Sequence, residues 1–305
     1  MASELVDQLW AGLDDLALPQ ELAPRREDTL GLLAARIAQF EFEHKHWLSR
    51  FRRLGPALVA LEDGVYGPQL GAVVAAQQLG HTVAEIQHGF ISKRHLAYNS
   101  PWFAKGRVSL GWPEVLLAFG PWWAEQTNLP WRQKVIVGRQ STRPSGSIQA
   151  PEPRDTLLVI GDAVEFESYL EFARESVAWA HDLGLRVLFR PHPRLMTMAR
   201  DAAGATVEIS DSRLNEVLRR SALVVGSYST VLFEAIGRVP KIACLDTPAR
   251  AFFMPESPFP LVKSTDELRL LATSRDATES ELPRADYWAP FEPEQIRADL
   301  LNLIE

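Results

Sequence analysis

Apolar runs of three to five residues recur along the chain, and each breaks into polar or glycine residues where a strand would end. Ala57 to Leu61 runs into Glu62-Asp63-Gly64, and Thr82 to Ile86 into Gln87-His88-Gly89. Val115 to Phe119 meets Gly120-Pro121, and Lys134 to Val137 meets Gly138-Arg139. Further on, Leu157 to Ile160 ends at Gly161-Asp162 and Val187 to Phe189 at Arg190-Pro191-His192-Pro193. After the short run Val207 to Ile209, Leu223 to Val225 ends at Gly226-Ser227-Tyr228-Ser229-Thr230, and Ile242 to Leu245 follows. Near-continuous apolar runs of this length predict parallel strands buried on both faces. Between them lie windows of helical period: Glu27 to Leu54, Gln69 to Leu79 closed by Gly80, Phe166 to Leu183 closed by Gly184, Leu214 to Ser221, and a helix starting near Thr230. Ser3 to Ala17 reads as a leading helix, a capped helix starts near Ser264, and a last one runs from Glu292 to Ile304. Strand and helix in alternation predict an α/β chain with doubly wound sheets.

In such sheets ligands bind outside the carboxyl ends of the strands, so the residues at the breaks are the candidates for chemistry. Two carboxylates before a glycine, Glu62 and Asp63, suit proton abstraction, because crowding or burial raises a carboxyl pKa towards neutrality. His88, at a strand end beside a glycine, suits a base or a phosphate donor. Lys93, Arg94, His95 and Tyr98 follow in a polar loop suited to an anionic substrate. In the second half Arg190 brings a guanidinium fork suited to phosphate, and His192 is held between two prolines. Ser227, Ser229 and Thr230 sit at a helix start, where hydroxyls and amides can cap the helix and receive an anion. Glu234, one turn on, can accept from ribose hydroxyls, and Gly161 lies at the tip of the first strand of that half.

A chain of 305 residues exceeds the usual size of one domain. The segment 141–156, rich in Ser, Pro and Gly and without periodicity, reads as a linker between residues 55–140, preceded by the helical 1–54, and residues 157–305. The net charge of −7 argues against a nucleic-acid partner. Cys244, the one cysteine, lies in an apolar run and reads as a small core residue. With no ~20-residue apolar span, the expected location is cytoplasmic. The basic, aromatic stretch His44 to Arg53 is either a solvated helix face or a peripheral contact with the inner face of a membrane. Trp102, Trp112, Trp122, Trp123 and Trp131 serve packing or sugar stacking.

Taken in order, Glu85-Ile86-Gln87-His88-Gly89, Arg190-Pro191-His192-Pro193 and Ser227-Tyr228-Ser229-Thr230 with Glu234-Ala235 resemble bacterial surface-polysaccharide glycosyltransferases of the GT-B fold. Glu62-Asp63-Gly64, with His192-Pro193 and the hydroxyl cluster, also resembles the motifs of bacterial sialyltransferases and polysialyltransferases, which use a CMP-activated sugar. The resemblance implies two Rossmann-like domains facing a cleft, a nucleotide-sugar co-substrate with CMP favoured, and a glycan or lipid-linked glycan acceptor. It makes Glu62 or Asp63 the base, puts His192 at the CMP phosphate, and makes Ser227, Ser229 and Thr230 further phosphate ligands. His88 is a second candidate base by similarity to teichoic-acid polyol-phosphate polymerases. The chain has no Asp-x-Asp pair, so the expected transfer is metal-independent and inverting. Transfer of a polyol phosphate from a CDP-polyol, nucleotide-sugar 2-epimerisation, and a non-catalytic subunit of a polysaccharide-assembly complex are the other readings.

Overall fold

The computed structural model describes residues 26–65, 68–95, 97–99, 111–138, 153–204, 206–274 and 282–304. The expected first helix, Trp102, Arg139 and residues 141–152 of the expected linker lie outside them.

The first lobe comprises α1 (Arg26–Phe51), β1 (Leu58–Leu61), α2 (Leu70–Gln78), β2 (Thr82–Ile86), β3 (Val115–Ala118), α3 (Pro121–Glu125) and β4 (Gln133–Ile136). Its four strands are parallel and lie in the order β1-β2-β3-β4. The helix α1 lies on α2, and Trp47, Leu48 and Phe51 join Val73, Ala76 and Val83 in the core behind the sheet. The aromatic half of the His44 to Arg53 stretch is therefore used internally. Lys45, His46, Arg50, Arg52 and Arg53 remain exposed.

The second lobe runs through β5 (Thr156–Ile160), α4 (Phe166–Asp182), β6 (Arg186–Arg190), α5 (Met196–Ala203), β7 (Glu208–Ile209), α6 (Leu214–Arg220) and β8 (Ser221–Gly226). It continues through α7 (Thr230–Ala235), β9 (Lys241–Leu245), α8 (Pro248–Phe253), β10 (Leu261–Val262) and α9 (Thr265–Thr273). All strands are parallel in the order β10-β9-β8-β5-β6-β7, which is the Rossmann order with its reversal between β5 and β8. Cys244 is buried in β9, and burial pushes its thiol up to about 11, as suits a core residue.

Residues 284–304, assigned from sequence to the second lobe, cross back to the first. After α10 (Arg284–Tyr287) the Ala289 amide donates to the Phe119 carbonyl (2.9 Å), and α11 (Pro293–Leu301) delivers Leu303 into the core of Ala84, Val115, Leu117 and Val135. The Leu303 carbonyl accepts from Thr82 Oγ1 (3.1 Å) and from the Arg132 guanidinium (3.2 Å). The physical reason is an apolar sheet face that the short first lobe cannot cover with its own helices. A tail that ends on the other lobe reads in sequence only as one more amphipathic helix.

The returning segment is clamped at the joint between the lobes. Trp123, fully buried, packs tilted against Phe233 of α7 with ring centres 4.7 Å apart and donates its indole N–H to the Tyr287 carbonyl (2.8 Å). Trp288 donates in turn to the Phe233 carbonyl (2.8 Å). Gly120 meets this segment so closely that a Cβ would lie 2.4 Å from the Asp286 carbonyl oxygen. Gly120→Ala is therefore expected to destabilise the protein by about 2–4 kcal/mol, mainly by overpacking. Urea denaturation measures the loss, and limited proteolysis should show cleavage after residue 283 before either lobe unfolds.

Candidate functional site

The site on the first lobe starts from a sharp turn after β1. Asp63 has φ of 60°, in the left-handed region, and Gly64 beside it is buried. The Gly64 amide donates to Glu85 Oε2 (2.9 Å), so a carboxylate on the neighbouring strand closes the turn. The Tyr98 hydroxyl donates to the other oxygen, Glu85 Oε1 (2.7 Å). With the turn held this way, Asp63 Oδ1 lies 2.9 Å from His88 Nε2, while His88 Nδ1 lies 4.0 Å from Glu85 Oε1. Asp63, His88 and Glu85 thus form a chain running from the opening into the core, with side-chain exposures of 41%, 26% and 0%. Burial pushes the Glu85 carboxyl up to about 7, against the hydrogen bonds from Tyr98 and Gly64 that favour its ionised form. His95, stacked edge-on to Tyr98, is held below the usual histidine range by burial and by the charge of His88.

Glu62 and Asp63, taken together as candidate bases, are separated by the turn: Asp63 joins His88 and Glu62 is exposed. His88 and Asp63, read as alternatives, stand together, 2.9 Å apart. His95 and Tyr98 turn inward instead of lining the substrate loop, whereas Lys93 and Arg94 do line a cavity. Glu85 was not among the candidate site residues, and Tyr98 was named only as part of the substrate loop. The available signal was a carboxylate within a strand whose neighbours are all apolar, on the same face as the fully buried Val83.

On the second lobe, β6 and β8 flank β5, so their carboxyl ends lie about 10 Å apart, two strand spacings. Arg190 ends β6 and donates to the Ser212 carbonyl (2.7 Å), which fixes its fork. Burial lowers its pKa, while the charges of Glu234 and Asp211 act in the opposite direction. His192 is extended (φ −56°, ψ 139°) and its Nδ1 accepts the Arg194 amide at 3.3 Å, capping the 3-10 turn Pro193–Leu195. An accepting Nδ1 puts the proton of the neutral ring on Nε2, where it is a donor. Ser229 caps α7, its Oγ accepting from the Val231 amide (3.2 Å), and Thr230 follows half-buried.

Two expected phosphate or cofactor contacts have other positions. Ser227 is buried at 2% exposure, its hydroxyl 3.4 Å from Thr247 Oγ1, beneath the cleft floor and not on it. Gly161 is needed for packing: a Cβ there would lie 2.6 Å from the Phe189 ring, and its amide donates to the Arg190 carbonyl (2.9 Å). The helix α7 is also only six residues long, so its dipole is a weak anchor for an anion.

The strand ends of the two lobes face each other. Phe90, two residues after His88, lies 6.2 Å from Tyr228 and 6.0 Å from Phe233. Beside this contact is a cavity of about 540 Å³ lined from both lobes by Lys93, Arg94, Trp122, Met254, Glu256 and Ser257, with Lys93 3.5 Å from Glu256. Of the tryptophans, Trp123 packs and Trp122 borders the cavity, and Trp131 donates its indole N–H to Thr127 Oγ1 (3.1 Å). From the second lobe, residues 254–258 line this cavity. Among the described residues no helix is long and apolar enough to cross a membrane.

No protein-family model matches the sequence, and no curated protein matches it either. Solved structures do. The glycosyltransferase VinC in complex with dTDP superposes with a TM-score of 0.52 at 13% identity, covering 88% of this chain and 79% of that one. The calicheamicin glycosyltransferase gives 0.51 at 16% identity over 95% of this chain and 80% of the other. TarM gives 0.50 at 10% identity over 85% of this chain, which spans 57% of TarM's length. The chain has the GT-B fold. In GT-B terms the Asp63-His88-Glu85 chain belongs to the first Rossmann-like lobe, and Arg190, His192 and Ser229 belong to the second.

The raised Glu85 carboxyl makes stability depend on pH. Between its ordinary value of 4.5 and about 7 the folded state holds a proton that the unfolded state has released. Stability from this group is therefore present at acid pH and lost as pH rises through 7, by on the order of 3 kcal/mol. Urea denaturation of the wild type at pH 5 and pH 8 should show this decline, and Glu85→Gln should flatten it.

Proposed function

We propose that the protein is a glycosyltransferase that moves a sugar from a nucleotide donor to a hydroxyl of a surface-glycan acceptor, with inversion and without a metal ion. The observation that carries the reading is the close Asp63–His88 contact at the strand ends of one lobe, with Phe90, two residues on, meeting Tyr228 of the other lobe beside Ser229. Proton abstraction and phosphate binding are thereby divided between the two walls of one cleft. The GT-B fold, shared with glycosyltransferases at TM-scores of 0.51 and 0.52, supports the same class. A CMP-sugar is the favoured donor because Glu62-Asp63-Gly64 and His192-Pro193 resemble sialyltransferase motifs.

The second lobe holds the leaving group. Arg190 and the Nε2–H of His192 donate to the departing phosphate, and the Thr230 hydroxyl adds a third donor. On the first lobe Asp63, the more exposed member of the pair, takes the acceptor's hydroxyl proton while His88 orients it. The acceptor oxygen then attacks the anomeric carbon from the face opposite the phosphate. Lys93 and Arg94 line the cavity that an anionic acceptor would enter, and the exposed basic residues of α1 would bring the protein to an anionic lipid surface that carries such an acceptor.

A second reading, transfer of a polyol phosphate from a CDP-polyol, is favoured by the same His88. Since His88 and Asp63 act as a pair, substitution of either affects both readings alike, and only the product separates them: a glycosidic bond or a phosphodiester.

Calorimetry with CMP, CDP, UDP and dTDP is expected to show binding of at least one nucleotide, and binding of none would reject the reading. Arg190→Ala and His192→Ala should each weaken that binding about 10- to 100-fold, the loss of one charge-assisted hydrogen bond. Asp63→Asn, a residue that tolerates the left-handed turn, should leave nucleotide binding intact and lower kcat by roughly 10²- to 10⁴-fold.

A further inference from the structure

The strand order of the second lobe reverses between β5 and β8, and the crevice outside such a switch point is where ligands bind. The tip of β5 stands between the two strand ends that carry the phosphate candidates. Ile160 pairs with Arg190, and the Gly161 amide donates to the Arg190 carbonyl (2.9 Å). On the other side Val159 pairs with Val225, in the strand that leads into Ser229. Asp162 comes next at the tip of β5, and Glu165 precedes α4. Two half-buried carboxylates therefore follow the strand that separates Arg190 from Ser229.

The backbone uses one oxygen of each. Asp162 Oδ1 accepts from the amides of Val164 (2.6 Å) and Glu165 (2.9 Å), just ahead of α4. Glu165 Oε1 accepts from the Ala249 amide (3.1 Å) in the first turn of α8. Amides at a helix start are donors that an incoming phosphate could use, and here the chain's own carboxylates occupy them. The other oxygens, Asp162 Oδ2 and Glu165 Oε2, are buried and meet no hydrogen-bond partner among the described residues. Capping does not account for this, because serine or asparagine would serve the same amides without a charge.

We infer that Asp162 and Glu165 are specificity-determining residues that admit a donor with one phosphate, a nucleoside monophosphate sugar, and reject a nucleoside diphosphate. The inference rests on the glycosyltransferase reading and gives its donor preference a structural cause. Arg190 and the Nε2–H of His192 serve a single phosphate. A second phosphate reaching towards the β5–β8 crevice finds the helix amides taken and two carboxylates where donors would be needed. Like charges a few ångströms apart repel, and a phosphate that loses water without gaining donors is penalised again. The field of these carboxylates extends to the facing loop: burial raises the Tyr228 hydroxyl above the usual tyrosine range, and the charges of Asp162 and Glu165 add to the shift. Tyr228 lies between Ser227 and Ser229. The same features disfavour a CDP-polyol, which carries two phosphates.

Calorimetry of the full chain with CMP against CDP, UMP against UDP and dTMP against dTDP tests this without knowledge of the sugar. For whichever base binds, the monophosphate should bind about 10-fold or more tightly than its diphosphate, the reverse of what an added charge beside an arginine would give. Asp162→Asn and Glu165→Gln each keep an oxygen for the backbone amides and remove the charge. Each should tighten the diphosphate more than the monophosphate and narrow the gap by roughly 3- to 10-fold. A wild-type protein that binds a diphosphate as tightly as its monophosphate overturns the inference and leaves the glycosyltransferase reading standing. A gap that neither substitution narrows overturns the role of the two carboxylates. If Asp162→Asn does not fold, the wild-type ratio and Glu165→Gln decide. Binding of none of the six nucleotides rejects the parent reading, and this inference falls with it.

Discussion

The structure depends on an aromatic joint between two sheets that face each other by their strand ends. Trp123 of the first lobe packs tilted against Phe233 of the second, and Trp288 of the returning segment bonds to the Phe233 carbonyl. Each indole N–H thus bonds a carbonyl across a segment boundary, so the joint is fixed in direction as well as buried. Because the joint lies one turn from the start of α7 and immediately after the end of β3, it determines how far the two sets of loops stand apart. A cleft built by two lobes needs such a constraint, since interfaces between domains otherwise permit relative motion.

The two walls of the cleft use their polar groups differently. On the first lobe the chain of Asp63, His88 and Glu85 is built into the fold: a left-handed residue, a buried glycine amide and a tyrosine hydroxyl hold it in place. The cost is a carboxyl kept near its ionisation point by burial, which destabilises the protein where that group is charged. On the second lobe Arg190 and His192 are fixed by single bonds to neighbouring backbone, Ser212 and Arg194, and lie near the surface. That wall is positioned but not enclosed, as the proposed reading would need for an anionic donor to enter and leave.

Much of this was legible in the residues. Strands in a parallel sheet are buried on both faces, so β2, β5, β6, β8 and β9 stand out as apolar runs, and the polar residues after them mark the cleft. The pairing of Asp63 with His88 was not legible, since it joins the ends of two strands by way of a turn whose geometry is set by a third residue. Glu85 was hidden for the same reason: its burial is a property of the sheet's neighbours, although its place inside an apolar strand was a visible anomaly. The return of residues 284–304 to the first lobe escaped because a helix's periodicity shows which face is apolar and not which sheet receives it. Ser227 and Gly161 were misplaced because a hydroxyl or a glycine at a strand end serves packing as readily as binding. Only the contacts with Thr247 and Phe189 distinguish the two.

These placements bear on how one fold can carry different donors. Asp63 and His88 are held by the sheet itself, through Glu85 in β2 and the turn after β1, so that wall can change little without loss of their contact. The facing wall is made of loop residues that follow β6 and β8, and residues 254–258 of the same lobe line the cavity of about 540 Å³. Substitutions there would alter the nucleotide or the sugar without disturbing the base. On the proposed reading, specificity for the donor would lie in the segments after β6, β8 and β9, and the reaction type in the Asp63–His88 contact and the turn that holds it.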